Sequence, residues 1–151
     1  MTEVRFYHLE HKSLDEVLPN MLQLSLERGW RCVVQAGSEE RVEHLAAHLW
    51  TFADDSFLPH GSKADGSAAQ QPIWLTTEAE NPNGASVRFL VDGARAQSVA
   101  GLERAVFIFD GNDEAMVAQA REDWKRFKAE QHEISYWQQD EGGRWINRAA
   151  A

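Results

Sequence analysis

The fold turns on Arg31-Cys32-Val33-Val34-Gln35-Ala36. The run is short, is bracketed by Gly29 and Gly37, and is apolar without interruption from Cys32 to Val34. A strand with one wet face would alternate. A compact apolar run suits a strand covered on both faces, the habit of parallel sheets held between helices. On its N-terminal side, Leu14, Val17, Leu18, Met21 and Leu22 recur at helical spacing. Ser13 with Glu16 forms a capping box, and Gly29 takes the position just past the helix end. Ser25 thins the apolar stripe, and Pro19 weighs against an unbroken helix. Val4 to Leu9 reads as the strand before that helix. On the C-terminal side, Ser38 caps a second helix whose buried stripe is Val42, Leu45, Ala46 and Leu49.

Further out the alternation continues. Residues 61–71 are small and polar and read as a surface loop. Pro72 to Thr77, Val87 to Val91 and Ala105 to Asp110 read as strands, with a turn at Asn81-Pro82-Asn83-Gly84. Residues 113–130 read as a long helix, Ile134 to Gln138 as a last strand, and Arg144-Trp145-Ile146 as a tail. Helices alternating with strands predict an α/β class: one domain over residues 1–151, with a largely parallel or mixed central sheet flanked by helices. The arrangement is Rossmann-like without a nucleotide-binding loop. No Gly-x-Gly-x-x-Gly follows the first or second strand, no phosphate-binding Gly-Lys-Ser/Thr loop is present, and Glu10-His11-Lys12 is too bulky to cradle a pyrophosphate.

Composition narrows the functional classes. A chain of 151 residues hides roughly 70% of its extended-chain surface, enough for a real core. The formal net charge is −9, so direct nucleic-acid binding is not expected of the surface as a whole. Six Trp is high for this length and points to edges or interfaces. The single cysteine, Cys32, cannot close an internal disulfide and reads as a small buried hydrophobe in a reducing, cytoplasmic setting. No secretory pattern and no apolar run of membrane-spanning length is present.

Catalytic devices are not evident. His44 and His48 share a helix face at metal-ligand spacing, but a third ligand is missing, so a solvated face is the simpler reading and no metal is expected. Asp54 and Asp55 are adjacent loop carboxylates and read as a turn device. Ser56 lacks a nucleophile-elbow context, and Arg31 alone is weak activation for Cys32. The chain is expected to have no catalytic residues, no cofactor and no enzymatic activity of its own.

Two segments carry binding chemistry instead. Leu49-Trp50-Thr51-Phe52-Ala53-Asp54-Asp55-Ser56-Phe57-Leu58-Pro59-His60 puts Trp50, Phe52 and Phe57 at a helix exit where polar residues are usual. Such a cluster either plugs the core or docks a protein; the docking reading is the prediction. Arg121-Glu122-Asp123-Trp124-Lys125-Arg126-Phe127-Lys128 sets four bases against two acids inside an acidic protein. Arg121, Lys125 and Lys128 share one helix face bordered by Trp124, while Met116, Val117, Ala120, Trp124 and Phe127 form the apolar stripe. Cations beside an aromatic ring suit a peptide carrying both a carboxylate and a hydrophobic side chain. A solvated basic face is the plainer alternative.

With these segments in view, the chain resembles the chi subunit family of bacterial DNA polymerase III. The resemblance rests on Phe6-Tyr7-His8-Leu9, on Leu49-Trp50 followed by Ser56-Phe57-Leu58-Pro59-His60, and on Arg121-x-x-Trp124-Lys125. It implies a non-catalytic adaptor of the clamp-loader assembly with an α/β fold. It implies two partners: a psi-like subunit, met by Trp50, Phe57, Pro59 and His60, and the acidic C-terminal tail of single-stranded DNA-binding protein, met by Arg121, Trp124 and Lys125. The family's further basic residue, one turn before the matched arginine, falls here on Val117, and Lys128 is the substitute that helical spacing offers. Rival readings are a small α/β enzyme of nucleotide metabolism, with a polar pocket at the carboxyl ends of the strands, and a docking partner of a repair helicase.

Overall fold

The computed structural model describes residues 2–51 and 58–148. Among them, eight strands form one sheet and three α-helices cover its faces. In chain order these are β1 (Glu3–Leu9), α1 (Leu14–Glu27), β2 (Cys32–Gln35), α2 (Glu39–Thr51), β3 (Gly61–Ser62), β4 (Ile73–Thr76), β5 (Val87–Leu90), β6 (Arg104–Asp110), α3 (Glu114–Ala129), β7 (Glu133–Gln139) and β8 (Trp145–Asn147). The strand order is β3-β4-β2-β5-β6-β1-β7-β8. Every neighbouring pair is parallel except β7 and β8. The α/β sandwich expected from Cys32 to Val34 is therefore present, and all four residues of β2 are buried.

Period-two alternation divides the strands between two cores. Tyr7 and Leu9 of β1 and Val106 and Ile108 of β6 join Val17, Leu18, Leu22, Val42, Leu45 and Leu49 beneath α1 and α2. Val4, Phe6, Phe107 and Phe109 point the other way and pack with Ala120 and Phe127 of α3. Adjacent strands β1 and β6 thus lead into helices on opposite faces, which makes their carboxyl ends a topological switch point.

α1 runs unbroken through Pro19, against the expectation of an interruption. Proline removes the N–H that would bond the Asp15 carbonyl one turn back. His48 of α2 supplies the replacement: its Nε2 lies 2.6 Å from the Asp15 carbonyl oxygen. His44 Nε2 lies 2.6 Å from the Asp15 carboxylate, so both histidines clasp α1 rather than face solvent freely. Residues 61–71 also differ from the surface-loop reading. Gly61 and Ser62 are buried and pair with Trp74 and Leu75 as an edge strand. Two small residues carry no periodicity; only the backbone pairing defines them. The tail after Ile134–Gln138 likewise folds back as β8, through a turn with Gly143 at φ +82°.

Candidate functional site

α3 begins at Asp113, whose carboxylate accepts from the N–H groups of Ala115 and Met116. Its apolar stripe lies on the sheet as the spacing predicts: Ala120 and Phe127 are buried, and Met116, Val117 and Trp124 are half-buried beside them. One turn is different. Asp123 is buried, with Gln119 Nε2 at 3.2 Å and Arg126 at 3.5 Å. Burial pushes its carboxyl up, against the pull of Gln119, Arg126 and Arg95. The i−4 glutamine and i+3 arginine were the available signals for this buried acid.

Above this packed face, Arg121, Trp124 and Lys125 surround a depression of about 240 Å³. Tyr136 of β7 and Arg148, just past β8, complete its wall. Lys128 is exposed but does not line it. Seven residues of helix carry Lys128 about 10 Å along the axis from Arg121, so a shared face does not bring it to the same hollow. The floor is aromatic. Trp124 sits 5.9 Å from Phe6 and 6.0 Å from Tyr136, centroid to centroid, the latter edge-on. The Tyr136 hydroxyl is 2.7 Å from His8 Nδ1, and His8 Nε2 is 3.2 Å from Glu10. Burial lowers the His8 pKa, and Arg121 adds to this against Glu10 and Asp110. Burial raises the Tyr136 hydroxyl pKa, with Arg121 opposing and Glu10 reinforcing. The hollow therefore presents three cations and two rings, with no acid among its lining residues. Sequence reading missed Tyr136 and Arg148. The Gly142-Gly143 turn was the signal for a hairpin that returns the chain to this face.

The second predicted surface lies at the far end of α2. Trp50 is 60% exposed, so it is not a core plug. Its neighbour Leu49 is fully buried. His60 is buried beneath it, edge-on to the Trp50 ring at 5.2 Å. The His60 ring nitrogens lie 2.6 Å from Leu58 O and 3.0 Å from Ala46 O, which ties the returning chain to α2. Pro59 is half-buried between them in sequence. Phe57, predicted to dock alongside Trp50, lies outside the described residues, as do Phe52, Asp54, Asp55 and Ser56.

The crevice required by the enzyme rival exists. About 460 Å³ opens at the switch point, lined by Glu10, Lys12, Arg41, Asp92, Asp110 and Asn112 among others. Several of its donors already have acceptors within the protein. The His11 and Lys12 amides face Gln139 Oε1 at 3.5 and 3.4 Å, Arg41 Nε bonds Asp92 at 2.9 Å, and the Ser13 amide bonds Glu16 at 3.1 Å. Cys32 is fully buried and its thiol is pushed up to about 12 by burial, which leaves it inert as a nucleophile. Among the described residues, no group of three or more His, Cys, Asp or Glu is placed to hold a metal, and no helix is long and apolar enough to cross a membrane.

Residues 1–135 match the family model described as DNA polymerase III chi subunit, HolC. The chain belongs to the DNA polymerase III chi subunit family. It is also similar to a protein of Rickettsia prowazekii (strain Madrid E) named probable DNA polymerase III subunit chi, with 27% identity over 109 residues. That alignment covers 72% of this chain and 66% of the relative, just under two thirds of its length. The chi family is a replication accessory family, and membership matches the alternation of helices and strands around a largely parallel sheet. The match ends one residue before Tyr136, so the β7–β8 side of the hollow lies almost wholly beyond it.

Proposed function

We propose that the protein is a non-catalytic adaptor of the replicative polymerase, linking the clamp-loader assembly to the acidic C-terminal tail of single-stranded DNA-binding protein. One observation carries this reading: a cationic, aromatic-floored hollow in a protein of net charge −9. A peptide ending in a hydrophobic residue needs a slot for its ring and a cation for its terminal carboxylate. Trp124 supplies the slot, and Arg121 and Lys125 supply the charge. Lys128, farther along the helix, adds to the field that draws an acidic tail inward. The Lys125–Glu122 contact at 3.7 Å joins two side chains more than 70% exposed, so it holds Lys125 only weakly.

The Trp50 surface is the place for the second partner, a psi-like clamp-loader subunit. In this reading Trp50 is the anchor, Phe57 and Pro59 are further contacts for that partner, and His60 holds Trp50 in position. An exposed Trp on a fixed helix end is the kind of residue that dominates interface energetics.

Titration of the full chain with an acidic peptide ending in Pro-Phe tests the tail reading. Binding should need the Phe, weaken as salt rises, and fall about tenfold or more in Arg121→Ala. Equal binding of the peptide without Phe, or wild-type affinity in Arg121→Ala, would remove the pocket from the account.

A further inference from the structure

We propose that Arg148 is a specificity-determining residue of this pocket, supplying from the β7–β8 hairpin the cation that this chain's α3 lacks at Val117. The inference rests on the reading of the hollow as the tail site. Trp137 pairs with Asn147 and Gln138 with Ile146, antiparallel. The next pair out is therefore Tyr136 with Arg148, and the Arg148 N–H donates to the Tyr136 carbonyl at 2.6 Å. Residues directly opposite on an antiparallel pair project to the same face. Tyr136 belongs to the core under α3, so Arg148 emerges on the α3 face as well, across the hollow from Arg121 and Lys125.

Each remaining feature of this wall fits a ligand carboxylate. The Tyr136 hydroxyl is occupied by His8, so Tyr136 offers its ring and not its oxygen. That leaves Arg148 as the polar group of the hairpin wall. Among the described residues, no carboxylate lies within ion-pair distance of Arg148 or of Arg121. Two guanidinium groups on opposite walls suit a peptide with more than one carboxylate, because each can take a separate one in a forked contact. Val117 lies one turn before Arg121 and is half-buried in the aromatic core, so the helix itself has no cation to offer at that level. The hairpin compensates from the other side. Most of it lies outside residues 1–135, the span that the family model matches.

The test uses the full chain, the acidic Pro-Phe peptide, and a matched peptide whose acidic side chains are replaced by amides. Arg148→Ala should weaken the acidic peptide about tenfold at low salt and change the amide peptide less than twofold. Arg148→Lys should recover part of the loss, since a point charge replaces a fork. Arg148 is exposed, and unchanged thermal melting of each variant confirms that the hairpin is intact. If Arg121→Ala loses affinity but Arg148→Ala does not, the inference fails and the tail reading stands. If Arg148→Ala weakens both peptides equally, the side chain acts by packing and the inference fails too. If neither variant loses affinity, or the unaltered protein does not bind, both fall together.

Discussion

Asp15 concentrates two roles in one residue, one of its backbone and one of its side chain. Its carbonyl is left without a helical donor by Pro19 and takes one from His48, while its carboxylate meets His44. A hydrogen bond of this kind is worth about 0.5–1.5 kcal/mol net, and more when its loss strands a buried acceptor. His48→Ala should therefore lower stability by about 1–2 kcal/mol, and by much less when Pro19→Ala restores the helical N–H. Urea unfolding of the four proteins measures that coupling; additive losses would show that Pro19 and His48 act independently. Behind Tyr136 of the pocket wall, His8 has its own signature. Its folded pKa lies below the ordinary value, so the native state holds the neutral ring. Stability from this group is intact above the unfolded pKa, near 6.5, and is lost as pH falls through the folded pKa. Thermal melting should thus decline below about pH 6.5, and His8→Gln should flatten part of that decline; an identical slope in the variant would contradict it. Gly111 explains why His8 fits at all. A Cβ there would lie 2.0 Å from His8 Nε2 and 2.7 Å from Leu9 O, so Gly111→Ala should cost about 1–3 kcal/mol by overpacking.

At the scale of elements, β1, α1, β2, α2 and α3 were legible because each has a strong period and a chemical start or stop. The Ser13–Glu16 box is formed, with Glu16 accepting from the Ser13 amide at 3.1 Å and its hydroxyl at 3.2 Å. Gly29 follows α1 at φ +82°. The stripe of α3 packs as its spacing demands. What the sequence withheld lacks periodicity. β3 is two small residues held by backbone pairing to β4. β8 is three residues whose pairing depends on the turn before it. Pro19 misled because its helix defect is repaired from another element, a tertiary fact. The pocket divides the same way. Arg121, Trp124 and Lys125 share a helix face and could be grouped from spacing, whereas Arg148 reaches them only through the hairpin. Adjacent residues of α2 make a sharp contrast. Leu49→Ala, at a fully buried site, should cost about 2–5 kcal/mol. Trp50→Ala, at an exposed one, should change stability little yet remove binding of the psi-like partner. A pair of unfolding curves and one binding assay separate the two.

Across the whole molecule, the two surfaces sit at opposite edges of one sheet. Trp50 and His60 adjoin the β3 edge on the face of α1 and α2, and the cationic hollow adjoins the β7–β8 edge on the face of α3. Strand spacing alone separates those edges by roughly 30 Å. In the proposed reading, the parallel sheet between them makes the chain a spacer as well as a connector, with room for two partners at once. Their energetics should be independent: Trp50→Ala leaves tail-peptide affinity unchanged, and Arg121→Ala leaves the other partner's affinity unchanged. In that reading a net charge of −9 beside a cationic hollow has an electrostatic sense, since acidic segments are repelled from much of the surface and drawn to the hollow. The measurement that tests this most directly is amide chemical-shift mapping of the labelled full chain titrated with the acidic Pro-Phe peptide. Shifts should concentrate at Arg121 to Lys125, Tyr136 and Arg148, with Trp50 and residues 58–62 unmoved. Shifts centred on the Trp50 end, or none at saturating peptide, would contradict it.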